Sequence, residues 1–460
     1  MADDAAVSAA DLATVDRDWA WQAFRPTAAA PWNLQRAAHL YRRTGFGASW
    51  RELQTALGQS PAECVAEWLS TGDGDSFYAE VRSTVAALWG TDNRQDLPAW
   101  WLYVMLHSPR PLLEKMTLFW HGHFATSMAK VTDGRLMYQQ NELLRRWALG
   151  SFRPLLAGMA RDPAMLIWLD STNNRKSQPN ENFAREVMEL FALGRGHYTE
   201  ADIKQAARAF TGWEVRQQIF RVNDHQHDKG EKQVLGQRGA WDGDDVLRIL
   251  LDQPATAEFL VGKIFRYLVS EDDPPPALLA PLAAGYRRHD YDTAWLVGTM
   301  LASNLFFSPL AIGRKIKSPV EYAVGLVRAL EGRADTYALA TDLNKLGQGV
   351  FFPPNVKGWD GGVEWINAST LVGRANLAWA LVGGRDARYA NKIQLQKLAA
   401  LEGVDTPAAV ARRLADLLVA GPLPAESLVR LTALASDGPR AESVPRVVHA
   451  IATLPEFQLA

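Results

Sequence analysis

The stretch NLQRAAHLYRRTGFG, Asn33 to Gly47, decides the architecture. Leu34, Ala38 and Tyr41 fall on one stripe at helical spacing, and the run stops at Gly45 and Gly47, where a helix C-terminus belongs. Upstream, residues 1–30 are rich in Ala and Asp and read as a flexible arm. Downstream the same period recurs at about 49–57, 61–70, 77–89, 97–107, 111–121, 135–149, 154–169, 180–194 and 200–211. It resumes at about 243–252, 255–270, 277–288, 292–302, 318–331, 338–346, 368–382, 391–401, 407–419, 424–435 and 442–453. The pattern predicts an all-α protein, with a large multi-helix core domain over residues 31–382 and an Ala/Leu-rich helical cap over 383–460.

Two segments break the period. EVRQQIFRVN, from Glu214, alternates imperfectly at Val215, Ile219 and Val222; DHQHDKG supplies turn residues and KQVLG resumes apolar character. That predicts one small β-hairpin or a long functional loop. GVFFPPNVKGWDGGVEWIN, Gly349 to Asn367, is rich in Pro, Gly and aromatics, a composition that argues for an ordered loop with a function.

The bulk numbers remove several function classes. A hydrophobic fraction of 48% over 460 residues allows a sizeable core, and a net charge of −2 gives no global basic field for nucleic acid or anionic lipid. No nucleic-acid partner is expected. Cys64 is the only cysteine, so neither an intrachain disulfide nor a cysteine zinc site can form. No stretch approaches the roughly 18 apolar residues of a membrane span. The N-terminus carries early acids and no apolar leader core, so a cytoplasmic location is expected, or export if a leader was removed. GxGxxG, Walker A, HExxH and GxSxG patterns are absent, which argues against nucleotide-binding and zincin readings.

Four motifs carry polar chemistry. In WHGHFATS, Trp120 to Ser127, His121 and His123 flank one glycine. If a helix runs through Gly122, two steps of about 100° leave the rings about 160° apart, and they cannot share an ion. If Gly122 ends the helix, its backbone freedom lets them converge. In PNENFAREVMELFALGRGHYTEAD, Asn180 is a good N-cap, Phe183, Val187, Leu190 and Phe191 form an apolar stripe, and Asn182, Arg185, Glu186 and Glu189 a polar one. Two carboxylates one turn apart suit a metal or acid/base work, or else a solvated face. In NDHQHDKG, His227 adjoins Asp228, as when a carboxylate orients an imidazole, or as at an exposed polar tip. In FPPNVKGWDGGVEWIN, Trp359, Trp365, Asn355, Asp360 and Asn367 offer a ligand wall, or simply close the core.

In order along the chain, AAHLYRRTGFGA, EKMTLFWHGHFATS, PNENFAREVMELFALGRGHYTEADI, AFTGW, HDKGEKQVLG, KSPVEY and PPNVKGWDGGVEWIN resemble the bacterial domain-of-unknown-function family 1800, from about Leu34 to Leu377. The resemblance implies a mostly helical protein, often exported, often encoded beside a sulfatase-like or alkaline-phosphatase-like protein. It adds weight to the motif residues and supplies no reaction.

Three functional readings follow. The leading one is a metal-dependent enzyme, hydrolase or oxidoreductase. In it His121, His123, His227 and Glu186 ligate Zn, Mn or non-haem Fe. Asp228 orients His227 and Glu189 is the general base on metal-bound water. Asn182, Trp359 and Asn367 line the ligand. The tips of His123, Glu186 or Glu189, and His227 should then lie within about 8 Å of one another, with Trp359 bordering them. The second is a non-enzymatic partner of a sulfatase-like protein or a glycan binder, with the Trp-rich loop as contact surface. The third is a metal-free acid/base enzyme on an anionic substrate, with Arg185 as clamp and Glu189 as base.

Overall fold

Short polar side chains set where the helices begin. In the computed structural model, which describes residues 12–70, 74–88, 93–390, 392–393, 395 and 404–460 and the backbone of 89–90, Asn33 accepts from Arg36 N and starts the helix Leu34–Gly45. Reciprocal capping boxes start Trp50–Leu57 (Ser49 with Glu52), Pro61–Leu69 (Ser60 with Glu63), Glu200–Ala209 (Thr199 with Asp202) and Pro319–Ala329 (Ser318 with Glu321). The molecule is all-α with small hairpins, as the period predicts. Most helices start and stop within two residues of the expected positions.

Four differences have physical causes. The helix expected over 154–169 is two, Phe152–Ala160 and Pro163–Trp168, because Pro163 has no N–H to continue the ladder and Asp162 caps the second piece through Met165 N. The helix expected over 180–194 is α-helical over Glu181–Glu186 and then a π-helical turn over Val187–Ala192. The single hairpin is two. Trp213–Arg216 pairs antiparallel with Ile219–Val222, and Lys232–Val234 with Gln237–Gly239, so EVRQQIFRVN folds on itself at Gln217–Gln218, both at positive φ. The arm is docked from Leu12: Trp21 Nε1 donates to Leu278 O (2.7 Å) and Phe24 N to Ala302 O (2.8 Å). Residues 1–11, and most of the helix expected over 391–401, lie outside the described residues.

The C-terminal helices Pro407–Leu418, Ala425–Ser436 and Arg440–Thr453 bury Leu414, Leu431, Val447 and Ile451, and the last packs along Ala368–Val382. The chain then returns to the body, where Leu459 bridges to Ile316. Cys64 is buried in Pro61–Leu69, its thiol pushed up to about 11 by burial first and by Glu67 and Glu63 next. Among the described residues no helix is long and apolar enough to cross a membrane.

Candidate functional site

The helix Pro111–His123 runs through Gly122, so its two histidines point to opposite sides. His121 Nε2 accepts from Phe351 N (3.2 Å), and the ring packs against Trp101, Phe351 and Trp359. His123 Nε2 donates to Phe191 O (3.1 Å), which leaves Nδ1 as a buried acceptor without a partner among the described residues. Burial holds both imidazoles neutral: it pulls His121 down to about 3, and it pulls His123 well below the ordinary value with help from the charge of Lys263. The shared-ion arrangement at Gly122 is therefore not formed.

The glutamate helix meets His123 with its apolar side. The π-turn brings Phe191 and its carbonyl to the imidazole, while Arg185 and Glu189 of the polar stripe find surface partners. Arg185 clamps Glu200 (2.7 and 2.8 Å), not a ligand. Glu189 accepts from Arg195 (2.7 Å) and Tyr198 (2.6 Å), and these bonds hold its carboxyl below the usual range. Glu186 is pushed up by burial and then by Glu189. Asn182 Nδ2 donates to Leu169 O (3.0 Å).

On the hairpin side, His227 Nδ1 pairs with Thr211 O (2.9 Å), whereas Asp228 receives Arg208 (2.7 and 3.2 Å). Asp228 therefore does not orient His227. Both line a shallow polar cavity of about 500 Å³ with Lys176, Asp224, His225 and Lys229. Among the described residues no group of three or more His, Cys, Asp or Glu side chains is placed to hold a metal. The set His121, His123, Glu186, His227 is not assembled: the three imidazoles bond backbone atoms in separate places, Phe351 N, Phe191 O and Thr211 O. Asn367 is likewise a helix cap: it accepts from Thr370 N (2.9 Å) and starts Ala368–Val382.

The Trp359 loop does reach the histidine helix. Gly358 sits at φ +85°, and a Cβ there would lie 2.2 Å from Gly122 O. Loop and helix thus meet backbone to backbone, which only glycine allows. Trp359 lies over Gly122 and beside His121, and its Nε1 is buried without a partner among the described residues. The expected neighbour is found on the His side only; Glu186 and His227 belong to other surfaces.

Trp359 is also one wall of a cavity of about 900 Å³, together with Asp360 and Trp365 of the same loop and His123; Asn355 and Asn367 of the expected ligand wall do not line it, and the motif readings named none of its cations. His123, Phe119, Phe259, Tyr267 and Trp365 supply its apolar and ring surfaces; Lys263, Arg266, Arg314, Lys315 and Lys357 supply cations, against Glu271, Asp272, Glu321 and Asp360. Lys263 has no hydrogen-bond or ion-pair acceptor among the described residues. It rests over the Phe259 ring (5.3 Å), and burial, then Arg266, lowers its amine to about 8. Glu321 on the floor is held by Lys115, by Lys315 (3.1 Å) and by Ser318 N (2.7 Å). Although its burial alone would raise it, the two lysines keep it ionised. KSPVEY supplies Glu321 and its cap Ser318, but the lysines that hold Glu321 lie outside that motif.

No curated protein and no solved structure matches the chain. A family described as "Protein of unknown function (DUF1800)" matches residues 39–459, a span that takes in the motifs above, all but the first two residues of AAHLYRRTGFGA, and the C-terminal helices as far as Leu459. The chain belongs to the DUF1800 family.

Proposed function

We propose that the chain binds an organic anion in the cavity under Trp359 and exchanges a proton with it through Lys263. The reading keeps the anionic substrate of the third expectation and moves it away from Arg185 and Glu189, which hold surface partners. Lys263 carries it: a half-buried cation with no ion-pair partner among the described residues, facing a cavity walled by aromatic rings and by charged groups of both signs. An uncompensated charge in such a place favours an anionic guest. Trp359 offers a ring face, which suits a guest with a flat or cyclic body. An amine titrating near 8 can hold the anion when protonated and accept a proton when neutral.

The test uses inorganic sulfate and phosphate as probes, by calorimetry at fixed ionic strength. Binding should weaken as pH rises through about 8, where Lys263 loses its charge. Lys263→Met should lower affinity about tenfold or more, the loss of one charge-assisted contact. Equal binding by wild type and Lys263→Met would sink the reading.

A second reading has its own observation. Val363, Leu371 and Val372 are exposed on the Trp359 loop and the helix after it, as a partner-contact surface would be. Capture of a co-expressed sulfatase-like protein by wild type, lost in Val363→Asp, would favour it. Equal capture by the variant would remove it.

A further inference from the structure

Lys263 stands where an ammonium ion is poorly served. Its helix, Pro254–Leu268, carries Phe259, Lys263 and Tyr267 at four-residue spacing, so one face turns all three to the cavity under Trp359. Lys263 Nζ rests over the Phe259 ring at 5.3 Å, and the same ring meets the His123 imidazole at 6.2 Å between centroids. Among the described residues no carboxylate pairs with the amine. Arg266, one turn further along the helix, spends its guanidinium on Asp273 (3.0 Å). A lysine in such a place can release its proton, which an arginine cannot do. Burial first, then the charge of Arg266, brings the amine to about 8. At pH 7 such a group holds about two hundred times more free amine than an ordinary lysine. A desolvated free amine beside a second cation is a nucleophile.

The cavity also supplies what a neutral Lys263 no longer can. Arg314 and Lys357 line it, and neither pairs with a carboxylate among the described residues. Arg314 Nε donates only to Pro309 O (3.3 Å). A guest anion can therefore be held by these two while Lys263 is free to react. We propose that Lys263 forms an imine with a 2-oxo acid bound in this cavity, whose carboxylate Arg314 or Lys357 holds. The proposal rests on reading the cavity as an organic-anion site and names its guest: a carboxylate with a carbonyl beside it. Lys263 Nζ adds to the carbonyl carbon, and a C–N bond forms. The C–O bond then breaks, and the oxygen leaves as water with both hydrogens of the amine. Nothing is oxidised or reduced in that step.

The test incubates the full chain with phenylpyruvate and sodium cyanoborohydride, which reduces an imine to a stable secondary amine. Intact mass and peptide mapping then read the product. One adduct per chain is expected, on Lys263. Its rate should rise with pH and level off above about 8, whereas exposed lysines keep gaining reactivity up to about 10. Sulfate binding falls over the same range, so the two pH dependences have opposite signs. Lys263→Met should lose the adduct; because mapping of the wild-type chain already identifies the site, the result does not depend on that variant folding. Phenyllactate, the same body without the carbonyl, is the calorimetric control. Phenyllactate bound with no adduct on Lys263, or adducts confined to exposed lysines, would overturn the imine and leave the anion site standing. Neither compound bound, with no adduct on Lys263, would remove both.

Discussion

His121 is neutral because it is buried, and that has a sign. Its folded pKa lies near 3, below the unfolded value of about 6.5. Between those values the unfolded chain binds the extra proton, so stability rises with pH and is lost as pH falls below about 6.5. The window is worth on the order of 5 kcal/mol for this one side chain. His39 and His123 are lowered by burial in the same sense. Urea denaturation from pH 4.5 to 7.5 should show this slope, and His121→Gln, which keeps an acceptor for Phe351 N, should reduce it by about one proton; an unchanged slope would show that the imidazole is not neutral in the fold. Asp162 has the opposite sign. Burial raises it to about 7 despite bonds from Met165 N and Gln140, so the folded state holds the proton from about pH 4 to 7 and stability falls across that range. Asp162→Asn keeps the cap and removes the charge. It should therefore gain stability relative to wild type as pH rises from 5 to 8. At this scale the sequence named the histidines but not their partners. Arg195, Tyr198 and Arg208 lie within or near the quoted motifs, yet which acid meets which base depends on the turns at Gly194, Gly196 and Gly212, all at positive φ. Lys263 had no local mark, being one lysine in an apolar helical run.

Helix starts and stops were legible because caps and prolines act over three or four residues. The junction between the WHGHF helix and the KGW loop was not, since it joins Gly122 to Gly358 across the chain. Gly358→Ala must relieve both a left-handed backbone and a methyl driven into Gly122 O. It should cost at least about 2 kcal/mol in chemical denaturation and loosen Trp359, visible as a red shift in tryptophan emission. A wild-type midpoint would mean the two backbones are not in contact. Asn367 separates cap from ligand residue. Asn367→Ala should cost about 1 kcal/mol and leave anion binding unchanged. A large loss of binding with unaltered stability would restore its place in the site. The π-turn at Val187–Ala192 lay beyond a reading by period, because one extra residue in a turn leaves no compositional mark.

Residues 457–459 tie the C-terminal helices back to the body. Gln458 and Phe457 receive Arg374 and Lys317, and Leu459 bridges to Ile316, so the residues most distant in sequence complete the floor behind the cavity. Deleting residues 455–460 should therefore lower the melting temperature by well over the few degrees expected of an exposed tail, read by circular dichroism. A truncated chain that melts with wild type would show that the return segment is an accessory. The fold class could be read from hydrophobic period, but the cation-rich floor assembles from positions as far apart as Lys115, Lys317, Arg374 and Gln458, and no window of sequence contains it.

Cys64 gives the molecule a built-in clock. Its thiol is sealed at 1% exposure and held protonated near neutral pH, so alkylating reagents in solution should leave the folded chain untouched. With a single sulfhydryl on the chain, every adduct that forms records one opening of the Pro61–Leu69 helix. Mass shift against time in a thiol-reactive reagent then counts excursions from the native state, molecule by molecule, without any label having to be introduced.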